Sequence, residues 1–186
     1  MVHKTGAGHN VFIEAKRNYY PFDFAPGFWT LLDQQSDLHV IKSPFEVFRE
    51  LADSGDDLSE WAKARRDGTL FVEPDDAVQA IFREVADFVT GNYMEAAAAE
   101  FLDGADPWVI AHAQCDAGTV VTGERIVGGG SGRPKIPNVC REFDVPYVNT
   151  FGMLRELGIS FVLKGFKSYE ESTEGRKTDL PQSAEV

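Results

Sequence analysis

The chain has 186 residues, of which 43% are hydrophobic and 26% charged, as is ordinary for one globular domain with a well-buried core. Its formal net charge of −12 disfavours a general nucleic-acid binder, which needs lysine and arginine to neutralise phosphates. No apolar run approaches the roughly 20 residues of a membrane span, and the first ten residues lack a secretory signal. The chain has only two cysteines, far apart in sequence, so we expect no disulfide framework. We therefore expect a cytoplasmic protein that does not interact with a membrane.

Short apolar, β-branched runs alternate with helical patterns along the chain. The residues Ser43, Pro44 and Glu46 form a capping-box pattern, which predicts a helix start there, and Pro74 opens an amphipathic helix. Strands are predicted at 39–43, 119–122, 145–149 and 159–163, and further helices at 57–66, 94–102, 106–117 and 151–157. Residues 1–167 are expected to form one domain, and the polar, charged segment 168–186 a disordered tail.

This alternation predicts an α/β fold in which a parallel sheet is covered by helices on both faces. In such open sheets, functional groups gather beyond the carboxyl ends of the strands. The residues that follow predicted strands are therefore the first place to look for chemistry.

Three acidic residues stand at strand ends or on the helices that follow them. Asp106 opens the helix at 106–117, Glu124 follows the strand at 119–122, and Glu50 lies in the helix after strand 39–43. Carboxylate oxygens suit Mg²⁺ or Mn²⁺, which can activate water for attack on a phosphodiester. Each residue also has a plainer interpretation: Asp106 as a helix N-cap, Glu50 as a solvated helix residue, and Glu124 as a turn residue.

Other motifs are weaker. The glycine-rich segments at 6–8 and 128–132 match neither the P-loop pattern GxxxxGK[ST] nor the dinucleotide-binding pattern GxGxxG. We interpret both segments as flexible loops. A metal pair of His112 and Cys115 is conceivable, although core packing is the favoured interpretation. An aromatic group could stack nucleobases, but such density more often marks a core or a partner surface. Its members are Tyr19, Tyr20, Phe22, Phe24, Phe28 and Trp29.

Several segments together resemble a family of uncharacterised prokaryotic PIN-like proteins related to the VapC toxin ribonucleases. They occur in one order along the chain: HNVFIEAKRNYYPFDFAPGFW, SPFEVFREL, ADPWVIAHAQ, VVTGE and KIPNVC. The resemblance covers about Asn10 to Leu163 and implies a three-layer α/β/α PIN fold with a central parallel sheet of about five strands. It also implies a Mg²⁺- or Mn²⁺-dependent site in which Glu50, Asp106 and Glu124 are metal ligands and catalytic residues.

The chain departs from the PIN pattern at the first motif, an apolar strand that ends in Asp-x-Asn. Asn10 matches the supporting asparagine, but Gly8 stands where the family has its first aspartate, and the residues before it do not form a convincing strand. Glu14 or His9 could substitute for the missing ligand. Basic residues close to the motifs could bind the substrate backbone or could simply be charges on a solvated surface. They are Arg17, Arg125 and Lys135, with Lys16 and Arg133 nearby.

The sequence therefore leads to two hypotheses. In the first, the protein is a metal-dependent endoribonuclease, the toxin of a toxin–antitoxin pair, with RNA as substrate, a protein antitoxin as partner and homodimerisation expected. Its activity is impaired because Gly8 replaces the aspartate. In the second, the protein is a catalytically inactive PIN-fold protein that acts by binding a protein partner.

Overall fold

The computed structural model describes residues 5–128 and 130–162, and they form a mixed α/β fold, as predicted. Five short strands pair in parallel in the order β3-β2-β1-β4-β5. The strands are β1 (Thr5–Ala7), β2 (Ile41–Pro44), β3 (Phe71–Val72), β4 (Thr119–Val121) and β5 (Tyr147–Val148). Because every pair is parallel, the carboxyl ends of all five strands lie at the same edge.

Helices make up most of the remaining chain. They are α1 (His9–Glu14), α2 (Pro26–Asp37), α3 (Phe45–Ala52), α4 (Asp57–Lys63), α5 (Asp76–Asn92), α6 (Glu95–Asp103), α7 (Asp106–Cys115), α8 (Ile136–Glu142) and α9 (Thr150–Glu156). A π-helical turn, Ala15–Tyr19, continues α1. The central helix α7 packs on β1, β2 and β4, and α5 packs on α7.

The core forms where α7 meets the sheet. Val109 and Ile110 of α7, together with Val120 and Val121 of β4, are fully buried. Burying such side chains stabilises a fold by about 1.5–3 kcal/mol each. The start of α7 is consequently held firmly beside the carboxyl ends of β1 and β4.

Strand β1 corrects the sequence analysis, which found no convincing strand before Gly8. The strand is three residues long and lies in the middle of the sheet, where Thr5 pairs with both Ile41 and Thr119. Gly8 follows directly, with an extended backbone, and is the N-cap of α1. Position 8 therefore lies at the carboxyl end of the central strand, where the resemblance expects the first aspartate.

Other element boundaries also differ from expectation. The capping box was wrong: Ser43 and Pro44 belong to β2, and α3 begins at Phe45 without a side-chain cap. Strand β3 was not predicted. The described residues 159–162 form no strand, while Leu163 and the predicted tail at 168–186 lie outside the described residues.

Packing divides the chain into two units, Met1–Met153 and Leu154–Val186. The first contains all five strands and the predicted site residues. The described part of the second comprises the end of α9 and a turn at Gly158, whose φ of 67° favours glycine. Within the described residues, no helix has the length and apolar character that crossing a membrane requires.

Candidate acidic site

Asp106 is the most perturbed carboxyl group of the site. It is the first residue of α7, whose N-cap is Ala105, so the structure does not support the N-cap interpretation. Burial, followed by the negative charges of Glu124 and Glu50, raises the pKa of Asp106 to about 6, and Lys135 opposes this rise. The structure thus brings the three predicted carboxylates close enough for their charges to interact.

Glu50 holds the start of α7. Its Oε1 accepts a hydrogen bond from the backbone N–H of Ala105 at 2.8 Å, across 55 residues of sequence. The residue is half-buried rather than solvated. An acceptor at this position suits the positive end of a helix dipole and fixes the backbone directly before Asp106.

Both carboxylate oxygens of Glu124 already have protein donors. Lys135 Nζ lies 2.6 Å from Oε1, and the backbone N–H of Ile136 donates to Oε2 at 2.8 Å. The N–H of Glu124 itself donates to the buried Thr122 hydroxyl at 3.1 Å. Only 17% of the side chain is exposed. Glu124 therefore links the end of β4 to the start of α8 and is not a simple turn residue.

Asp106, Glu124 and Lys135 line one cavity of about 180 Å³, which we call the acidic cavity. Arg133 and Glu100 lie at its exposed side and form an ion pair at 3.6 Å. Lys135, predicted to bind substrate, forms an ion pair with Glu124 at 2.6 Å. Its ammonium group supplies part of the positive charge that a metal ion would otherwise bring.

The oxygen donors suit a hard divalent cation, but they are not preassembled around one. Among the described residues, no three His, Cys, Asp or Glu side chains form a group ready to hold a metal ion. Glu124 would have to exchange Lys135 for the cation, and position 8 contributes no carboxylate. Asp106 is the donor whose charged form a cation would stabilise most, because burial and like charges disfavour that form.

Gly8 leaves room for a side chain. A Cβ added at this position would lie 3.7 Å from Val109 Cγ2, an ordinary van der Waals contact. Val109 is three residues after Asp106 and therefore on the same face of α7, one turn further along. Among the described residues, the structure therefore has space for the first side-chain atom at position 8, on the side that faces α7.

The structure gives less support to the remaining predicted residues as parts of the acidic site. Asn10 lies in α1, but its side chain, like that of His9, is outside the described side chains. Arg17 and Arg125 are exposed. His112 is buried with both ring nitrogens lacking a hydrogen-bond partner among the described residues, whereas Cys115 is exposed. The core interpretation of His112 is thus supported.

A second cleft, which sequence reasoning did not find, adjoins the acidic cavity and shares Glu124 with it. This aromatic cleft has a volume of about 170 Å³. Its wall includes Glu14, Tyr19, Arg125, Asn149 and Phe151. Phe28 and Trp29 of the aromatic segment are core residues, as favoured, but Tyr19 and Phe24 are exposed. No local pattern connects Tyr19 with Phe151, because they are distant in sequence.

Fold and site together define an α/β protein with an acidic cavity at the carboxyl edge of a parallel sheet. The chain belongs to the DUF4411 family, a domain of unknown function, whose profile matches residues 8–161. No curated protein matches it. One similar solved structure is VapBC2 from Rickettsia felis bound to a DNA fragment from their promoter.

The identity to that structure is 15% and the TM-score 0.46, over 78% of this chain and 97% of the other. Similarity at this level does not support an argument about function.

Proposed function

We propose that this protein is a PIN-like, Mg²⁺- or Mn²⁺-dependent endoribonuclease whose activity is impaired by Gly8. The main observation behind the proposal is that the negative charges of Glu50 and Glu124 both act on Asp106, which lies beside the carboxyl end of the central strand. Separate segments of the chain bring Glu50 and Glu124 to this point. Buried, mutually repelling carboxylates are costly to a fold, and they are characteristic of sites that hold cations or transfer protons.

In this proposal, Asp106, Glu50 and Glu124 hold the cation. When bound, the cation would activate water and stabilise charge on the phosphate during phosphodiester hydrolysis. Glu50 also fixes the start of α7 through the Ala105 N–H, so that Asp106 keeps its position. Lys135, Arg125 and Arg17 are the groups proposed to contact the RNA backbone, with Asn10 supporting the site.

The cellular role that we propose is that of a cytoplasmic toxin in a toxin–antitoxin pair, inhibited by a protein antitoxin and assembled as a homodimer. The support for this role is the resemblance carried by ADPW, VVTGE and KIPNVC. Growth arrest on expression of the Gly8→Asp protein, relieved by co-expression of a neighbouring small gene, would support it. Normal growth during expression of a nuclease-competent variant would contradict it.

The second candidate function is that of an inactive PIN-fold protein that binds a protein partner. Three observations favour it: the glycine at position 8, the net charge of −12 and the occupation of both Glu124 oxygens by protein donors. In this case Lys135 permanently replaces the metal ion.

RNA cleavage in Mn²⁺ separates the two functions. We would compare the natural chain with Gly8→Asp, with Gly8→Ala, and with Gly8→Asp combined with Asp106→Asn. The alanine variant controls for the added Cβ, and the double variant removes the most perturbed carboxylate at nearly constant shape.

Cleavage that increases only in Gly8→Asp and disappears in the double variant would support the impaired nuclease. Failure of every folded variant to cleave RNA or bind Mn²⁺ would refute it and favour partner binding.

A further inference from the structure

The aromatic cleft presents two exposed rings beside the acidic cavity. Tyr19 ends the π-helical turn after α1, and Phe151 is the second residue of α9. Their ring centroids lie 5.1 Å apart at an interplanar angle of 73°, an edge-to-face pair. They remain 40% and 38% exposed, respectively. A substantial ring surface is thus available to a ligand in the cleft.

Neighbouring groups hold the two rings in place. Tyr20 stacks on the buried Phe28, with 4.2 Å between centroids and an angle of 11°, and also lies 6.5 Å from Phe151. The side chain of Asn149 accepts a hydrogen bond from the Gly152 N–H at 2.8 Å and so fixes the first turn of α9. Aromatic side chains held in this way lose little conformational entropy when a flat ligand binds.

The polar groups of the cleft suit a nucleotide. Arg125 is exposed at its wall and offers a planar cation for a phosphate. The Glu14 carboxylate lies against Gly123, with the Tyr19 hydroxyl 3.4 Å away, and offers acceptors for the N–H groups of a base edge. Glu124 borders both cavities, so a chain running from one to the other would pass the acidic site.

We propose that Tyr19 and Phe151 stack an unpaired nucleobase of single-stranded RNA next to the phosphate held at the acidic cavity. This inference rests on the proposed nuclease function and names its substrate class. A base in a duplex cannot expose its face to these rings, whereas a single strand can turn one base out at little cost. The two rings are therefore specificity-determining residues that select unpaired RNA.

The test uses a short single-stranded RNA that carries the fluorescent base 2-aminopurine, titrated with the natural chain without Mg²⁺ or Mn²⁺. Tyr19→Leu and Phe151→Leu keep apolar bulk but remove the ring faces. Phe24→Leu is the matched control, because Phe24 is 82% exposed and does not line the cleft. Thermal unfolding verifies that each variant is folded.

We expect 2-aminopurine fluorescence to be quenched on binding to the natural chain and to the Phe24 variant. Either cleft substitution should weaken binding about 5- to 20-fold, the lower part of the range for one stacked base, and reduce the quenching. The same sequence annealed to its complement should bind more weakly than the single strand.

No binding of RNA by the natural chain would overturn the stacking proposal, as would equal losses in all three leucine variants. If Gly8→Asp restores cleavage and the further change Tyr19→Leu leaves the KM for RNA unchanged, the stacking proposal is refuted while the nuclease proposal stands. Conversely, the quenching of 2-aminopurine could depend on both rings while Gly8→Asp neither cleaves RNA nor binds Mn²⁺. That result would support an RNA-binding cleft and refute the nuclease proposal.

Discussion

Replacing Lys135 by glutamine should increase the affinity of the acidic cavity for Mn²⁺. The ammonium group lies 2.6 Å from Glu124 Oε1, so a cation that binds this oxygen has to displace a charge-assisted hydrogen bond. Such bonds contribute about 1.5–3 kcal/mol when buried. The Lys135 side chain is 41% exposed, and solvent screening lowers the contribution to about 1–2 kcal/mol.

This free energy corresponds to about 5- to 30-fold tighter binding of Mn²⁺. The assay is calorimetric titration of Mn²⁺ into Gly8→Asp and into Gly8→Asp combined with Lys135→Gln. Arg133→Gln is the matched control, because Arg133 lines the same cavity but is 73% exposed and pairs with Glu100. Removing that charge should change the affinity much less.

An unchanged or weaker affinity after Lys135→Gln would show that Lys135 does not compete with the cation. In that case Lys135 would support the site, and its bond to Glu124 would orient a ligand rather than replace one. An equal gain in the Arg133 variant would attribute the effect to net charge in the cavity and not to the hydrogen bond.

Three further predictions concern stability. Asp106→Asn should stabilise the protein at pH 7 by about 1–3 kcal/mol in urea unfolding, because the folded-state pKa of about 6 lies above the ordinary 3.8. This gain should shrink as the pH falls from about 6 towards 4, and a constant gain would contradict it. Burial, then the charge of Lys42, lowers the pKa of His112 to about 4 from 6.5, so the contribution of His112 to stability should fall by up to about 3 kcal/mol between pH 6.5 and 4, while protonation of Asp106 acts in the opposite direction. In the Asp106→Asn background, where that opposing change is absent, His112→Leu should remove most of the fall, and an unchanged fall would assign it to other groups. Gly123→Ala should destabilise by no more than about 0.5 kcal/mol, because the new methyl group meets the flexible end of the Glu14 side chain, which can move aside, and Glu14→Ala should relieve the loss. Additive losses in the double variant would refute that contact.

The sequence predicted the helices better than the sheet. The amphipathic helix after Pro74 is α5, whose N-cap Asp75 accepts a hydrogen bond from the Val78 N–H. Strands β1 and β3 have only three and two residues, too short for an alternating pattern to appear. The capping-box pattern at Ser43 does not form a helix cap, because Ser43 is buried in β2 and pairs with Phe71. Tertiary structure here overrides the local sequence preference.

The sequence indicated which acidic residues belong together but not the bonds that they make. The resemblance grouped Glu50, Asp106 and Glu124, and in the structure the charges of Glu50 and Glu124 act on Asp106. That Lys135 already neutralises Glu124 could not be deduced, since spacing along a loop does not fix where a flexible side chain points. The pairing of Tyr19 with Phe151 likewise depends on how separate helices pack at the end of the sheet.

The space at position 8 has an evolutionary consequence. Among the described residues, a Cβ there meets Val109 at an ordinary distance, so the described packing leaves this position open to a first side-chain atom. Under the proposed function, loss and recovery of activity are separated by one residue. Populations carrying this gene could therefore exchange a harmful nuclease for a harmless copy, and regain it, by a single substitution.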